Sequence, residues 1–195
     1  MARRASIDRK TKETEINLKL NLDGKGDAAV RTGIPFFDHM LTLFAVHGFF
    51  DLEIRAKGDL EVDLHHTVED VGLVLGDALD QALDSRAGIA RYGYSVTPMD
   101  EALAAIAVDL SKRPYLVYNV PSPTDSSSNF NISLAKEFFR AFATRAGMNL
   151  HINVAYGENE HHIIESIFKG TGRALDVAAT LDGRITSVRS SKGVL

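Results

Sequence analysis

Two copies of one short pattern, 96 residues apart, constrain this chain more than any other feature. The first is His65-His66-Thr67-Val68-Glu69 and the second is His161-His162-Ile163-Ile164-Glu165, with the same spacing between each histidine or glutamate and its counterpart. On a helix, two adjacent imidazoles followed three and four positions later by a carboxylate lie on neighbouring turns. That is a ligand arrangement for a metal ion. A single histidine and glutamate at this spacing is commonplace, but a second copy at identical spacing calls for a fold that uses one device twice.

The surrounding segments repeat in the same order. In the first half, Ile16, Leu18, Leu20 and Leu22 alternate with polar residues as a half-buried strand does. Asp23-Gly24-Lys25-Gly26 supplies turn chemistry, and a return strand to about Val30 would close a hairpin. Helical apolar spacing covers residues 36–46 and stops near Gly48; a strand starts at Leu52 and Ile54 and continues past Gly58 to Val62; helical spacing then runs over residues 66–83. The second half reads as a strand over 103–110, a turn over 111–114, a return strand over 115–120, a helix over 134–145, a strand over 150–156 and a helix over 162–180. Each half is thus strand, strand, helix, strand, helix, with the metal pattern opening the last helix. Residues 86–98 form the boundary. Extending the repeat sets His39 opposite Phe138 and His151 opposite Glu53, so these two further histidines are not copies of one another.

A half of under a hundred residues with one amphipathic sheet face buries little alone, so both halves should share one core. The expected fold is α+β, an internal duplication with two similar halves (about 1–90 and 91–195 of a single domain). Each half carries a mostly antiparallel sheet and two helices.

Composition removes several classes of function. A net charge of −4 argues against nucleic-acid binding, which rests on a basic surface. Arg3-Arg4 and Arg9-Lys10-Thr11-Lys12 read as a solvated, mobile N-terminus, and Ser126-Ser127-Ser128 as a loop. No apolar run reaches 18 residues and no signal-peptide pattern is present, so no membrane partner and a cytoplasmic location are expected. With no cysteine, a metal must be held by nitrogen and oxygen. Imidazole suits zinc, copper, iron and nickel, carboxylate suits manganese, magnesium and calcium, and a mixture is borderline. Neighbouring residues on a helix point about 100° apart. His65 and His66 therefore should not serve one ion, nor should His161 and His162, and each ion would take one imidazole from each pair.

Further stretches carry a resemblance. Thr11-Lys12-Glu13-Thr14, Thr32 through Leu41, Leu64 through Asp70, Met99-Asp100-Glu101-Ala102, Arg113-Pro114-Tyr115-Leu116, Gly157 through Glu165 and Ser190 through Leu195 together resemble the imidazoleglycerol-phosphate dehydratase family of histidine biosynthesis. The resemblance runs from near residue 5 to the last residue. It implies that His39, His65, His66, Glu69, His151, His161, His162 and Glu165 hold two manganese ions per active site. It also places His47 at a substrate-contacting position and implies a 24-subunit shell with active sites between subunits. Metal ligands such as His39, His65, Glu69, His161 and Glu165 would then also border the substrate. The phosphatase domain fused to some family members is absent, so no phosphatase activity is implied.

For the substrate's phosphate, the resemblance nominates Arg91, Arg113, Lys169, Ser190, Ser191 and Lys192, cations and donors suited to that group. Lys169 has separate support, since it lies four residues beyond Glu165 on the same helix face, where the repeat has Leu73. The implied reaction removes water from imidazole glycerol phosphate. A metal on a ring nitrogen stabilises the imidazolate, which expels the adjacent hydroxyl to leave a diazafulvene. Glu13 is the expected acid–base residue, because it sits in a matched motif yet is not a ligand; His47 is the second catalytic candidate. Asp38, Asp70 and Asp100 are candidates to orient imidazole ligands. Two rivals remain at this point: a di-metal phosphoesterase, which would release phosphate, and a metal-storage protein, for which Arg91, Arg113 and Lys192 would be irrelevant.

Overall fold

The computed structural model describes residues 3–121 and 129–195, so the serine run at 126–128 lies outside the described residues. Each half contains three strands, a helix, a strand and a helix. In the first these are β1 (Arg4–Lys10), β2 (Thr14–Asn21), β3 (Ala28–Arg31), α1 (Pro35–His47), β4 (Asp51–Gly58) and α2 (His65–Leu83). In the second they are β5 (Tyr92–Met99), β6 (Ala102–Asp109), β7 (Tyr115–Asn119), α3 (Ile132–Ala146), β8 (Asn149–Tyr156) and α4 (Glu160–Ala179). The two four-stranded sheets have matching orders, β1-β2-β4-β3 and β5-β6-β8-β7. The fold is the expected α+β duplication.

Their registers also match. Leu18 pairs with Ile54 in the first sheet and Ile106 with Ile152 in the second, so β2 maps on β6 at a spacing of 88 and β4 on β8 at 98. One face of each sheet is apolar, with Ile16, Leu18, Leu20 and Ile54 buried in the first and Ala104, Ile106, Leu150 and Ile152 in the second. The helices pack between these faces around one continuous core. Pairing crosses the repeat, because α1 of the first half lies along α4 of the second and α2 along α3. Each pair runs parallel and approaches closely at a glycine. A Cβ on Gly172 would fall 2.3 Å from the Phe44 carbonyl oxygen, and one on Gly76 would fall 2.8 Å from that of Phe142. No helix among the described residues is long and apolar enough to cross a membrane.

Five local expectations are corrected. The N-terminal basic cluster is not a mobile arm, since β1 pairs with β2 along its length; Arg3 forms an ion pair with Asp23 and Arg9 with Asp70 at 2.9 Å. Only Ala5 and Ile7 face the core, too few apolar positions for the alternation to show. The return strand to Val30 does not form a hairpin. Both edges of β2 are taken by β1 and β4, so β3 pairs in parallel with β4. Asp51 draws the intervening loop across by accepting from the Lys25 and Asp27 amides at 2.8 and 3.3 Å. For the same reason β7 pairs in parallel with β8 rather than returning along β6. The strand begun at Leu52 ends at Gly58, where a turn leads into α2. The segment expected as a boundary contains β5, the counterpart of β1.

Candidate active site

The first turns of α2 and α4 present the paired histidines. Asn159 caps α4, its side chain accepting from the His161 amide at 2.9 Å, and Asp63 does the same for the His65 amide at 3.1 Å. Each glutamate then reaches back one turn. His65 Nε2 lies 3.0 Å from a Glu69 carboxylate oxygen, and His161 Nε2 lies 3.0 Å from Glu165.

A third residue joins each pair across the helix interface. Beside α4, His39 of α1 brings Nε2 to 3.7 Å from Glu165, with its ring centroid 6.2 Å from that of His161. Beside α2, Glu137 of α3 completes the group with His65 and Glu69, and in both groups the ligand atoms lie within 4.8 Å of one another. The contacts of Gly172 with Phe44 and of Gly76 with Phe142 set α1 on α3 at a spacing of 98. His39 therefore corresponds to Glu137, not to Phe138. The expected match of His151 with Glu53 holds, since both occupy the register given by the sheets.

The two groups differ in their cations. Glu165 is only 8% exposed and receives Lys169 Nζ at 2.5 Å. Burial pushes its carboxyl up, but the bonds from Lys169 and His161 outweigh burial and hold it below the ordinary glutamate range. Glu69 is 30% exposed and receives Arg140 at 3.1 Å, a guanidinium that also bridges to Glu137 at 2.5 Å. Both groups offer the nitrogen and oxygen donors that a borderline or hard divalent ion takes.

The second histidine of each pair faces elsewhere. The ring planes of His65 and His66 are 88° apart, and those of His161 and His162 are 76° apart. His66 Nδ1 lies 3.0 Å from Asp59, and His162 Nδ1 lies 2.6 Å from Glu101. The Asp59 bond raises the pKa of His66, with burial opposing and Glu13 adding to the rise. The Glu101 carboxyl sits at about 2, held down by the Asn159 amide and then by His162. These carboxylates, with Glu137 and Arg140, were not singled out from sequence, because contact between elements distant along the chain leaves no local pattern. Two of the three aspartates expected in that role do other work, and the third is near His162 without a hydrogen bond to it. Asp38 accepts from the Thr32 amide and hydroxyl at 2.7 and 2.6 Å, and Asp70 accepts from Arg9 and the Thr14 hydroxyl. Asp100 is exposed and stands 3.6 Å from His162 Nε2.

Several candidates lie apart from these groups. His151 is exposed on the outer face of the second sheet, opposite Ala107 and Val117. His47 ends α1 beside a cavity of about 440 Å³ lined by Tyr94, Ser95, Arg173 and Asp176. Burial, then Lys169 and Arg173, push its pKa down. Arg173 continues the α4 stripe of Glu165 and Lys169 at steps of four, a signal the sequence did offer. Arg91 is buried and already engaged, bonding Asp109 at 2.7 and 3.1 Å and the Arg189 carbonyl at 2.5 Å. Arg113 reaches the same Asp109 at 3.8 Å. Ser190, Ser191 and Lys192 follow Arg189 on the surface, where the Ser190 hydroxyl accepts from the Lys192 amide at 3.2 Å. The Arg91 amide donates to the Ala178 carbonyl, at the opposite end of α4 from His161. Seventeen residues of helix separate the two by about 25 Å. Glu13 is exposed at the β1–β2 turn, in a pocket of about 260 Å³ that includes Lys12 and Asp59. A larger cleft of about 810 Å³ on the first sheet contains none of the candidate residues.

Relatives share this sequence and architecture. The sequence profile of imidazoleglycerol-phosphate dehydratase matches residues 32–175. A protein of Desulfosudis oleivorans named imidazoleglycerol-phosphate dehydratase is 60% identical over all of both chains, and one of Pelobacter propionicus is 56% identical over the same span. The crystal structure of the Pyrococcus furiosus enzyme in complex with (S)-C348 superposes with a TM-score of 0.85, at 39% identity, covering 97% of this chain and 100% of that one. The Staphylococcus aureus enzyme gives 0.82 at 37% identity, covering 92% and 99%. The chain belongs to the imidazoleglycerol-phosphate dehydratase family, hydro-lyases of histidine biosynthesis.

Proposed function

We propose that the chain dehydrates imidazole glycerol phosphate to imidazole acetol phosphate with two manganese ions per active site, in the cytoplasm. The observation that carries the metal reading is the pair of repeat-related groups, His39–His161–Glu165 and His65–Glu69–Glu137, each with its donor atoms already converged. His39, His65, His66, Glu69, His151, His161, His162 and Glu165 are the proposed ligands. Manganese held by these residues would supply the Lewis acidity that lets the substrate's imidazole carry negative charge. Glu13 is the proposed acid–base group: it takes the proton from the carbon next to the one that loses its hydroxyl. That proton and the hydroxyl leave together as water, and the enol formed becomes the ketone by moving its proton from oxygen to carbon. Burial, then Lys169 and Arg173, push the pKa of His47 down, which favours its uncharged imidazole and suits it to a hydrogen bond with substrate.

The phosphate falls to Lys169, Arg113 and the Ser190–Ser191–Lys192 tail, with Arg91 anchoring that tail through the Arg189 carbonyl. Within one chain the tail and the imidazole groups stand at opposite ends of α4, about 25 Å apart, too far for one small substrate. His151 likewise sits on an outer sheet face. A complete site would therefore draw on several copies, which supports active sites between subunits, as the proposed 24-subunit shell requires.

Manganese titrated into metal-free protein, with imidazole glycerol phosphate supplied, tests the reading. Carbonyl product should appear in proportion to metal, and chelation should shrink the assembly in light scattering. Release of inorganic phosphate in place of the carbonyl product would transfer the chain to the phosphoesterase reading, and full turnover in metal-free protein would end the manganese assignment.

A further inference from the structure

We infer that Glu101 and Asp59 are positioning residues for the two proposed ligands His162 and His66, each fixing the Nδ1–H tautomer so that Nε2 is the nitrogen offered to a metal. The inference rests on the reading of those histidines as ligands. An ionised carboxylate only accepts, so an imidazole nitrogen bonded to one must carry a proton, and in the neutral ring the other nitrogen keeps its lone pair. Glu101 Oε2 lies 2.6 Å from His162 Nδ1, while its Oε1 accepts from the Asn159 and Glu158 amides at 2.8 and 3.2 Å. Asp59 stands 3.0 Å from His66 Nδ1, and its amide donates to the Glu13 carbonyl at 3.1 Å. Asp100, at 3.6 Å, is beyond hydrogen-bond length from His162 Nε2, which stays available.

The repeat gives this contact its weight. Lys10 pairs with Glu15 across one turn and Pro98 with Leu103 across the other, so Glu101 is the counterpart of Glu13 at a spacing of 88. Beyond the bulge at Leu103/Ala104 the β4-to-β8 spacing rises from 98 to 99, which makes Glu158, not Glu101, the counterpart of Asp59. The two carboxylates thus come from unrelated positions, yet they reach the same nitrogen of repeat-related histidines. Descent from one ancestral half explains a shared residue, but not a contact kept while its supplier changed. The contact itself is what both halves need. The change also has a consequence, since Asp59 takes the place on His66 and Glu13 is left free at the site where Glu101 is held fast.

Glu101→Gln in the full chain tests this. The amide oxygen can keep the two backbone bonds, while the amide NH₂ faces Nδ1 and drives the ring proton to Nε2. In metal-free protein, ¹⁵N chemical shifts of labelled histidine should show His162 as Nδ1–H in the wild type and as Nε2–H in the variant. Manganese affinity, read by the electron paramagnetic resonance of free Mn²⁺, should fall roughly 10–100-fold at unchanged thermal stability. Asp59→Asn should do the same to His66. An Nε2–H tautomer in the wild type overturns the inference without touching the ligand reading, and this measurement needs no variant to fold. Unaltered affinity in Glu101→Gln beside weakened affinity in His162→Ala overturns the positioning role alone. Unaltered affinity in both variants removes His162 as a ligand, and the inference with it.

Discussion

The two halves share a scaffold and differ in chemistry, and the differences sit at a handful of repeat-related positions. On α4, Glu165 is buried and closed off by Lys169 from its own helix; on α2, Glu69 is more open and Arg140 reaches it from α3. Where the second half places Lys169, the first has Leu73. His39 on α1 corresponds to Glu137 on α3. Glu101 is locked by three hydrogen bonds, while its counterpart Glu13 is exposed. Duplication supplied two equal frames, and an asymmetric substrate needs them unequal. The lesson is that the His-His-Glu positions of α2 and α4 belong to the frame, whereas the third donor from α1 or α3, the cations and the acid–base groups are where the halves were free to diverge.

The largest expected effect tests that division on the two glutamates. Glu13→Gln should lower kcat by about 10²–10⁴, the usual range for a removed general acid or base, with manganese content unchanged. Near-normal turnover would return Glu13 to a surface role and break the contrast with Glu101. Next comes Lys169→Leu, which copies the first half into the second. Removing one partner of a largely buried ion pair costs about 3–5 kcal/mol, and denaturant unfolding of metal-free protein should show a loss of that order. Manganese should restore part of it, because an ion beside Glu165 would replace the missing cation; no recovery would argue against metal there.

Backbone packing should respond more evenly. Gly172→Ala and Gly76→Ala each insert a Cβ against a facing carbonyl and should cost about 1–3 kcal/mol, with Gly172 the worse because its clearance is smaller. Gly183→Ala, with open space around it, serves as the control in the same melts. Arg140→Ala should cost only about 0–1 kcal/mol, since its side chain is 53% exposed. A loss matching that of Lys169→Leu would erase the distinction between the halves.

The smallest effect concerns pH. The folded-state pKa of His47 is depressed by burial, Lys169 and Arg173, so below the ordinary histidine value the unfolded chain binds this proton more readily. Stability should fall as pH drops through that value and be insensitive to His47 above it. His47→Gln should flatten this part of the stability profile, and an unchanged slope would place the ring in open solvent.

Much of the site was legible along the chain because helical spacing is local. The His-His and glutamate positions, and Lys169 one turn on, follow from residues three or four apart sharing a face. The strands were legible wherever one face is buried, as in Ile16, Leu18 and Leu20. They were hidden in β1, where few core-facing residues are large, and in β3 and β7, whose pairing partners lie far along the chain. The register of the duplication was off by one residue at His39, because the glycines ending α1 and α3 are not equivalent once the helices are packed.

What the sequence by itself determined is the periodic part: the α+β duplication, the two ligand helices and the residue types able to hold a metal. What only the tertiary structure decided is which distant groups meet them, namely Glu137 and Arg140 beside Glu69, His39 beside Glu165, Asp59 on His66 and Glu101 on His162. The reason is physical. Periodicity is written in backbone geometry and can be read from neighbours a few residues apart. A contact between loops depends on how two sheets and four helices close on one core, and no local pattern records that closure.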